Sequence, residues 1–256
     1  MAFTKGQPEW GLHLAEDLEK ILVLQDPSTV AAVIIEPVTG SGGVIVPPVG
    51  YLERIKEICT KHDVLLIFDE VITGFGRLGD SFASNRFNVR PDIITMAKGL
   101  TNAVIPMSAV AFDTSIYDQI MQGPEAMIEL FHGYTYSGHP VACAAGIATL
   151  DVYQEEGLFD KAKELEPIFE EALHSLKGLN QVIDIRNIGL MGAVHFGSGK
   201  LPATEFAANV FQHCYDNNVL VRYSGEFLVL SPSLVASKEQ IHQISDSLRN
   251  AIEANS

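Results

Sequence analysis

The sequence predicts an α/β fold, with a mostly parallel sheet flanked by helices, followed by a small α+β part. Residues 30–35 (VAAVII) and 64–68 (VLLIF) are apolar throughout, as is typical of strands buried on both faces. A segment with apolar residues at helical spacing precedes each of them, so helix and strand alternate. After Leu179 the pattern changes to short strands mixed with helices, which indicates the α+β part.

The individual elements follow from the same periodicities. In the first part we predict helices at residues 12–24 and 51–62, strands at 30–35, 64–68, 93–96 and 107–112, and a long Ala-rich helix from Pro140 that breaks near Gly157 and continues towards His174. In the second part we predict strands at residues 182–186, 190–196, 219–222 and 227–230, and helices at 203–217 and 238–254. The turn at residues 178–180 therefore separates a larger α/β domain, residues 1–178, from a small C-terminal α+β domain, residues 179–256.

Composition excludes several classes of function. A formal net charge of -15 and a pI near 4.8 argue against nucleic-acid binding, because a phosphate backbone attracts basic surfaces. No run approaches the ~20 apolar residues of a membrane span, and the first residues lack the apolar core of a signal peptide, so we expect no membrane partner. Cys59, Cys143 and Cys214 lie far apart and lack ligand spacing. We therefore expect no metal site and no disulfide framework, and a cytoplasmic location fits.

One glycine-rich run invites a different interpretation. Residues 74–79 (GFGRLG) match the G-x-G-x-x-G pattern of dinucleotide-binding loops, which would suggest a nicotinamide-dependent dehydrogenase. The residues that follow lack the apolar face of a helix whose N-terminus could hold a pyrophosphate. We favour a loop whose glycines let the backbone pass close to another part of the chain. Residues 40–43 (GSGG) indicate a turn.

Two opposite charges follow neighbouring predicted strands. Asp69 ends the strand at residues 64–68, and Lys98 comes just after the strand at residues 93–96. Open α/β sheets bind ligands at the carboxyl ends of their strands, so the pair predicts a cofactor site at this edge. Taken singly, each has a simpler interpretation, since an Asp at a strand end commonly caps a turn and a Lys is commonly a solvated surface charge.

The residues around this pair resemble a known family. Residues 68–77 (FDEVITGFGR) and 91–102 (PDIITMAKGLTN) look like the signature of class III aminotransferases of the pyridoxal-phosphate (PLP) fold type I. Residues 36–38 (EPV), 46–52 (VPPVGYL) and 132–140 (HGYTYSGHP) extend the resemblance over nearly the whole chain. It is strongest to the omega-amino acid:pyruvate branch. The resemblance implies a ping-pong transfer of an amino group from a small-molecule donor, an omega-amino acid or amine, to pyruvate or a related keto acid.

The resemblance also implies roles for single residues. Lys98 would form the Schiff base with pyridoxal 5'-phosphate and act as general acid and base, and Asp69 would pair with the pyridine nitrogen. Val71 and Ile72 would pack against the ring and near its 3-hydroxyl, although both also fit an ordinary apolar core. Glu36 would lie near the cofactor and support the region of Asp69.

Two further residues are implied at the substrate and at a subunit interface. In the family, the threonine that matches Thr135 binds the cofactor phosphate of the neighbouring subunit, so a homodimer is expected; otherwise Thr135 is a turn residue. Arg222, in residues 221–226 (VRYSGE), resembles the arginine that binds a substrate carboxylate, to which its guanidinium is matched. The alternative interpretation of Arg222 is a surface charge on an edge strand. His132 and His139 flank Thr135 and are interpreted as structural.

Two cofactor elements of the family are not found in these residues, and we expect them upstream: a Gly-Ser-rich loop for the phosphate and an aromatic residue that stacks on the ring. The sheet should then have an uncovered edge and exposed apolar surface. Beside the active enzyme, the sequence leaves open a catalytically impaired remnant that keeps the fold.

Overall fold

The computed structural model describes residues 2–124, 130 and 132–256, and this part of the chain forms two four-stranded sheets. The first sheet has the strand order β1 (Ala32–Ile35), β2 (Leu65–Asp69), β3 (Ile93–Met96) and β4 (Ala109–Phe112). The first three strands are parallel and β4 is antiparallel to β3. The predicted mostly parallel sheet is therefore confirmed.

The described helices before Leu158 are α1 (Glu16–Gln25), α2 (Tyr51–Lys61), α3 (Ala83–Arg86), α4 (Thr114–Ile120) and α5 (Pro140–Glu155). Of these, α2 and α3 connect strands of the first sheet, α1 precedes β1, and α4 and α5 follow β4. The predicted helix at residues 12–24 starts as a 3-10 turn, Leu12–Ala15, before α1 begins. Helix α2 shows why the apolar spacing matters, because Leu52, Ile55 and Ile58 are buried on one face against the sheet and α1.

The second sheet is antiparallel throughout, with the strand order β5, β6, β8 and β7. Its elements are α6 (Leu158–His174), β5 (Val182–Ile188), β6 (Met191–Phe196), α7 (Ala203–Asp216), β7 (Arg222–Ser224), β8 (Phe227–Leu230) and α8 (Lys238–Ala254). Helix α8 starts with a capping box between Ser237 and Gln240. Phe169, Phe196 and Phe206 are fully buried where α6 and α7 meet the sheet.

One predicted strand is displaced. We expected a strand at residues 219–222, whereas β7 begins only at Arg222 and pairs with β8 through Ser224. Val219 and Val221 are apolar because they pack in the core around α7, without pairing to another strand. Their alternating pattern reports burial rather than a hydrogen-bonded ladder.

The two sheets share one apolar core. Met191 and Ala193 from β6 pack in the same cluster as Leu66 and Phe68 of β2. Helix α6 precedes the turn at residues 178–180 but packs with the second sheet. The division into residues 1–178 and 179–256 stays a prediction.

The outer strands of the first sheet leave apolar side chains exposed. Ile34 on β1 is 62% exposed and Val110 on β4 is 59% exposed. Several apolar side chains of α5, including Val141 and Ile147, are exposed as well. These side chains confirm the expected exposed apolar surface. No helix in the described part of the chain is long and apolar enough to cross a membrane.

Candidate active site

Asp69 and Lys98 lie at the same edge of the first sheet. Asp69 is the last residue of β2 and pairs in register with Thr95 on the parallel neighbour β3. Lys98 follows two residues after Met96, at which β3 ends. Parallel neighbours end on the same side of a sheet, so both charges lie at its carboxyl edge, where such sheets bind ligands.

The backbone at Lys98 has an unusual conformation. Its φ is +41°, in the left-handed region that side chains with a Cβ rarely adopt, and it starts the 3-10 turn Lys98–Leu100. The next residue must be glycine, because a Cβ on Gly99 would lie 2.7 Å from the Cβ of Phe75. The hydroxyl of Tyr153 donates a hydrogen bond to the Gly99 carbonyl oxygen over 2.7 Å. Local strain held by neighbours in this way is common at functional sites.

Lys98 opens into a cavity of about 650 Å³ between the two sheets. Val71, Ile72 and Arg222 also line it, so the structure brings together four of the residues predicted from the sequence. The ammonium of Lys98 is exposed and has no hydrogen-bond or ion-pair partner among the described residues. A lysine held in a strained turn with an unpaired amine is a candidate nucleophile.

The charge of the cavity is opposite to that of the protein. Lys98, Arg77 and Arg222 line it, and no Asp or Glu of the described residues does. The chain as a whole has a formal net charge of -15. Such a concentration of positive charge in an acidic protein favours an anionic ligand.

Asp69 and Glu36 are not among the residues that line the cavity in the described part of the chain. The Asp69 Oδ1 atom accepts a hydrogen bond from the Val71 backbone over 3.0 Å, which leaves Oδ2 without a protein donor among the described residues. Glu36 Oε2 accepts from the Gly40 backbone over 2.9 Å. Gly40 packs closely on Ile72, because a Cβ on Gly40 would lie 2.7 Å from Ile72 Cδ1. Glu36 therefore holds the turn at Gly40 against Ile72, which lines the cavity.

Glu70 is a structurally important acid that the sequence did not single out. Its side chain is fully buried and accepts hydrogen bonds from the Ala83 and Ser84 backbone, at 2.5 and 2.8 Å, and from the Thr73 hydroxyl at 3.0 Å. Burial raises the pKa of Glu70, opposed by these donors. The sequence carried one indication of this role, namely that Glu70 follows Asp69 directly and so points to the opposite face of the chain.

The glycine-rich run at residues 74–79 is a contact between the two sheets. A Cβ on Gly76 would lie 2.4 Å from the ring of Phe159, and the Leu190 backbone donates to the Arg77 carbonyl over 2.9 Å. Helix α3, which follows, is a single turn whose first N–H groups are bound by Glu70. No free helix N-terminus remains there for a pyrophosphate, so the dinucleotide interpretation is wrong.

Arg77 was also missed. Its Nη1 atom donates to the carbonyl oxygens of Leu190 and Pro232, over 3.3 and 2.5 Å, and Arg77 is among the residues that line the cavity. Burial lowers the pKa of Arg77. The partners are 113 and 155 positions away in sequence, so local spacing could not reveal the role.

The structure does not bring Thr135 to the cavity of its own chain. Thr135 is exposed in a loop and is not among the residues that line the cavity. In this loop the Tyr134 backbone N–H donates a hydrogen bond to the Ser137 hydroxyl over 2.9 Å. His132 and His139 contact the rings of Tyr134 and Tyr136. Within residues 2–124, 130 and 132–256 no cluster of His, Cys, Asp and Glu could hold a metal ion.

Comparison with known proteins gives a consistent result. Residues 3–252 match the family model described as aminotransferase class III. An omega-aminotransferase of Caulobacter vibrioides is 53% identical over 249 residues, which are 97% of this chain and 57% of the relative. A beta-alanine–pyruvate aminotransferase of Pseudomonas aeruginosa is 45% identical over 98% of this chain and 57% of its own length.

Solved structures agree with the sequence comparisons. An amine transaminase from an uncultivated Pseudomonas species, solved in its PLP-bound form, superposes with a TM-score of 0.89 at 38% identity. The match covers 95% of this chain and 56% of that one. The chain thus spans little more than half the length of the relatives that it matches.

Proposed function

Because this chain belongs to the class III aminotransferases, we propose that its cavity binds pyridoxal 5'-phosphate on Lys98 and transfers amino groups. The donor is an omega-amino acid or amine, and the acceptor is pyruvate or a related keto acid. The observation that carries the proposal is the unpaired amine of Lys98 in a cationic cavity at the carboxyl edge of the sheet. The names of the relatives, an omega-aminotransferase and a beta-alanine–pyruvate aminotransferase, support the choice of substrates.

The residues present fit this cofactor. Lys98 offers an amine for its aldehyde, Val71 and Ile72 offer apolar surface for its ring, and the cationic lining suits its phosphate. The free Oδ2 of Asp69 suits a pyridinium nitrogen. When bound, PLP would supply an electron sink for the carbanion that forms at the amino-bearing carbon of the substrate, and would keep the amino group between the two half-reactions.

The side chains of this chain perform the remaining steps. Lys98 Nζ takes the proton from the substrate carbon that bears the amino group and later returns one, since it is the amine in the cavity. Arg222 donates two parallel N–H groups to the substrate carboxylate and so orients the amino end towards Lys98. Both half-reactions take place in the same cavity, so the donor product leaves before the acceptor enters, in ping-pong order.

A homodimer belongs to the same proposal. Thr135 is exposed and lies outside the described lining of its own cavity, so a role at a cofactor phosphate requires the cavity of a second subunit. The exposed apolar residues of α5, which begins next to this loop, support an interface on this side. Thr135 would then complete the partner's site.

A single experiment tests the function at Lys98. The chain is incubated with PLP, reduced with borohydride, digested and examined by peptide mass spectrometry. We expect a pyridoxyl group on Lys98, its loss in Lys98→Ala, and its retention in Lys20→Ala, which removes an exposed lysine. Labelling on several exposed lysines, unchanged by Lys98→Ala, would contradict the proposal. That outcome would favour a catalytically impaired chain that keeps the fold.

A further inference from the structure

The turn at residues 40–44 lies between the two sheets. At one end of the turn, Gly40 lines the cavity and packs on Ile72 in the loop after β2. At the other end, a Cβ on Gly43 would lie 2.8 Å from Cδ1 of Phe227, the first residue of β8. Phe227 is not among the residues that line the cavity in the described part of the chain. Its ring therefore packs on a wall of the cavity without lining the cavity itself.

The backbone of this turn is strained. Val44 is fully buried and has a φ of +51°, in the left-handed region that β-branched residues rarely adopt. Its N–H donates to the Gly40 carbonyl oxygen over 3.1 Å, and Thr39 and Ile45 exchange two backbone hydrogen bonds across the base of the turn. A strained backbone persists only where its surroundings hold it. The ring of Phe227 is part of those surroundings.

The ring of Phe227 is itself held by the second sheet. His195 on β6 is its cross-strand neighbour, and the centroids of the two rings lie 4.2 Å apart. The guanidinium carbon of Arg186 on β5 lies over the Phe227 ring, 5.0 Å from its centroid, which is an attractive arrangement. The Arg186 Nε atom lies 3.1 Å from Asp184 Oδ2. Residues from three strands thus fix the ring that packs on Gly43.

Phe227 shares one face of the second sheet with Arg222. On the antiparallel neighbours β7 and β8, Arg222 pairs with Val229 and Ser224 pairs with Phe227. Paired residues point to the same face of a sheet, and so do residues two positions apart on a strand. This face is directed towards the first sheet, because Val229 packs against the apolar cluster that includes β2 and also lines the cavity. The contact between Phe227 and Gly43 therefore fixes the hairpin that carries Arg222.

We propose that Phe227 is a positioning residue for substrate binding, which sets the distance between Arg222 and Lys98 through its contact with the turn at residues 40–44. The inference rests on the proposed function, in which Arg222 holds a carboxylate and Lys98 is the reactive amine. A ligand with a carboxylate at one end must span both residues, so its reaction depends on Phe227. A ligand without a carboxylate reaches Lys98 independently of Arg222.

The test measures the reactivity of Lys98 without PLP. The full chain is treated with cyanoborohydride and either 4-oxobutanoate or butanal, two four-carbon aldehydes of which only the first carries a carboxylate. Labelling of Lys98 is read by peptide mass spectrometry relative to the exposed Lys20 in the same digest. We expect 4-oxobutanoate to label Lys98 about tenfold faster than butanal, because an oriented ligand reacts at a raised effective concentration. Arg222→Gln should abolish this preference.

Phe227→Ala should reduce the preference to about twofold or less, because the carboxylate no longer places the aldehyde at Lys98, while the rate with butanal stays unchanged. Phe227→Leu keeps most of the side-chain volume and should keep most of the preference. Gly43→Ala places a methyl group against the ring and should also lower the preference. Its control is Gly178→Ala, because Gly178 has a similar φ, +91° against +99°, but nothing lies within 4 Å of the added Cβ.

Phe3→Ala controls for a general loss of stability, since it removes a partly buried phenylalanine ring that packs on the second sheet outside the described cavity lining. It should keep the native preference. A native preference in Phe227→Ala, or an equal fall in Phe3→Ala, overturns the proposal. If Phe227→Ala does not fold, equal preferences in Gly43→Ala and Gly178→Ala overturn it instead.

The same experiment separates this inference from the proposed function. No preference in the native chain would refute Arg222 as the carboxylate anchor, and the role of Phe227 with it. Failed labelling of Lys98 by PLP, with the preference for 4-oxobutanoate intact, would refute the cofactor assignment and leave the role of Phe227 in place.

Discussion

The phenol of Tyr153 donates a hydrogen bond of 2.7 Å to the carbonyl oxygen of Gly99, the residue that follows Lys98. Tyr153 is buried, its ring stacks on Phe75, and burial raises its pKa, so it stays a protonated donor over the ordinary pH range. The bond ties α5 to the strained turn that carries the candidate nucleophile.

Tyr153→Phe should keep the packing and remove only this bond. A carbonyl left without its donor costs about 1–3 kcal/mol, so we expect a lower midpoint of urea unfolding. We also expect slower borohydride-trapped labelling of Lys98, because the turn is no longer fixed. Tyr215→Phe, an exposed tyrosine, is the control. Labelling at the native rate in Tyr153→Phe would show that the bond is irrelevant to Lys98.

Gly76 provides a second test, of the contact between the sheets. Gly76 has a φ of +84°, and a Cβ there would collide with Phe159 and approach Leu234. Gly157 has a φ of +60° but nothing within 4 Å of an added Cβ. Both alanine variants should lose roughly 1–2 kcal/mol for the left-handed backbone. Gly76→Ala should lose a further 1–3 kcal/mol, approximately, for overpacking.

The free energy of urea unfolding, measured for both glycine variants, decides this prediction. Equal losses would mean that the loop moves aside without resistance and does not fix the second sheet. A larger loss for Gly76→Ala, together with slower labelling of Lys98, would connect this contact to the cavity.

The sequence predicted the part of the site that depends on residues close together in the chain. Asp69 and Lys98 each follow a short apolar strand, and parallel strands end at a common edge, so their proximity followed from periodicity. Arg77 could not be found in this way, because its partners Leu190 and Pro232 lie far away in sequence, in connections next to strands of the second sheet. Periodicity also failed at Val219, where apolar residues pack without pairing. Contacts between residues that are distant in sequence leave little trace in the local sequence pattern.

His174 predicts a dependence of stability on pH. Its Nε2 lies 2.8 Å from the amide oxygen of the buried Asn187, and burial lowers the pKa of His174. Lys5 lowers this pKa further, whereas Glu170 and Asp184 oppose the shift. The unfolded state therefore binds a proton more readily than the folded state does.

The folded state therefore becomes less stable as the pH falls. The contribution of His174 is fully present above the unfolded pKa of about 6.5 and is lost as the pH falls below it. His174→Gln can keep a hydrogen bond to Asn187 and should show a smaller loss of stability between about pH 8 and pH 5 than the native chain. His242→Gln, an exposed histidine, should keep the native pH dependence. Parallel curves for the native chain and His174→Gln would exclude this residue as the cause.

The position of Thr135 predicts the outcome of mixing two variants. If Thr135 serves the partner's cavity, a dimer of one Lys98→Ala subunit and one Thr135→Ala subunit has one intact site, because Lys98 and Thr135 then come from different chains. If Thr135 serves its own cavity, the same dimer has none. We expect the mixture, refolded together in equal amounts, to retain PLP and to gain labelling of Lys98 at about one quarter of the native level. Random pairing makes about half of the dimers mixed, and each mixed dimer has one intact site of two. Each variant alone should show weaker retention. A mixture that only averages its two parents would place Thr135 in the site of its own chain, and a chain that sediments as a monomer would remove the basis for the trans role.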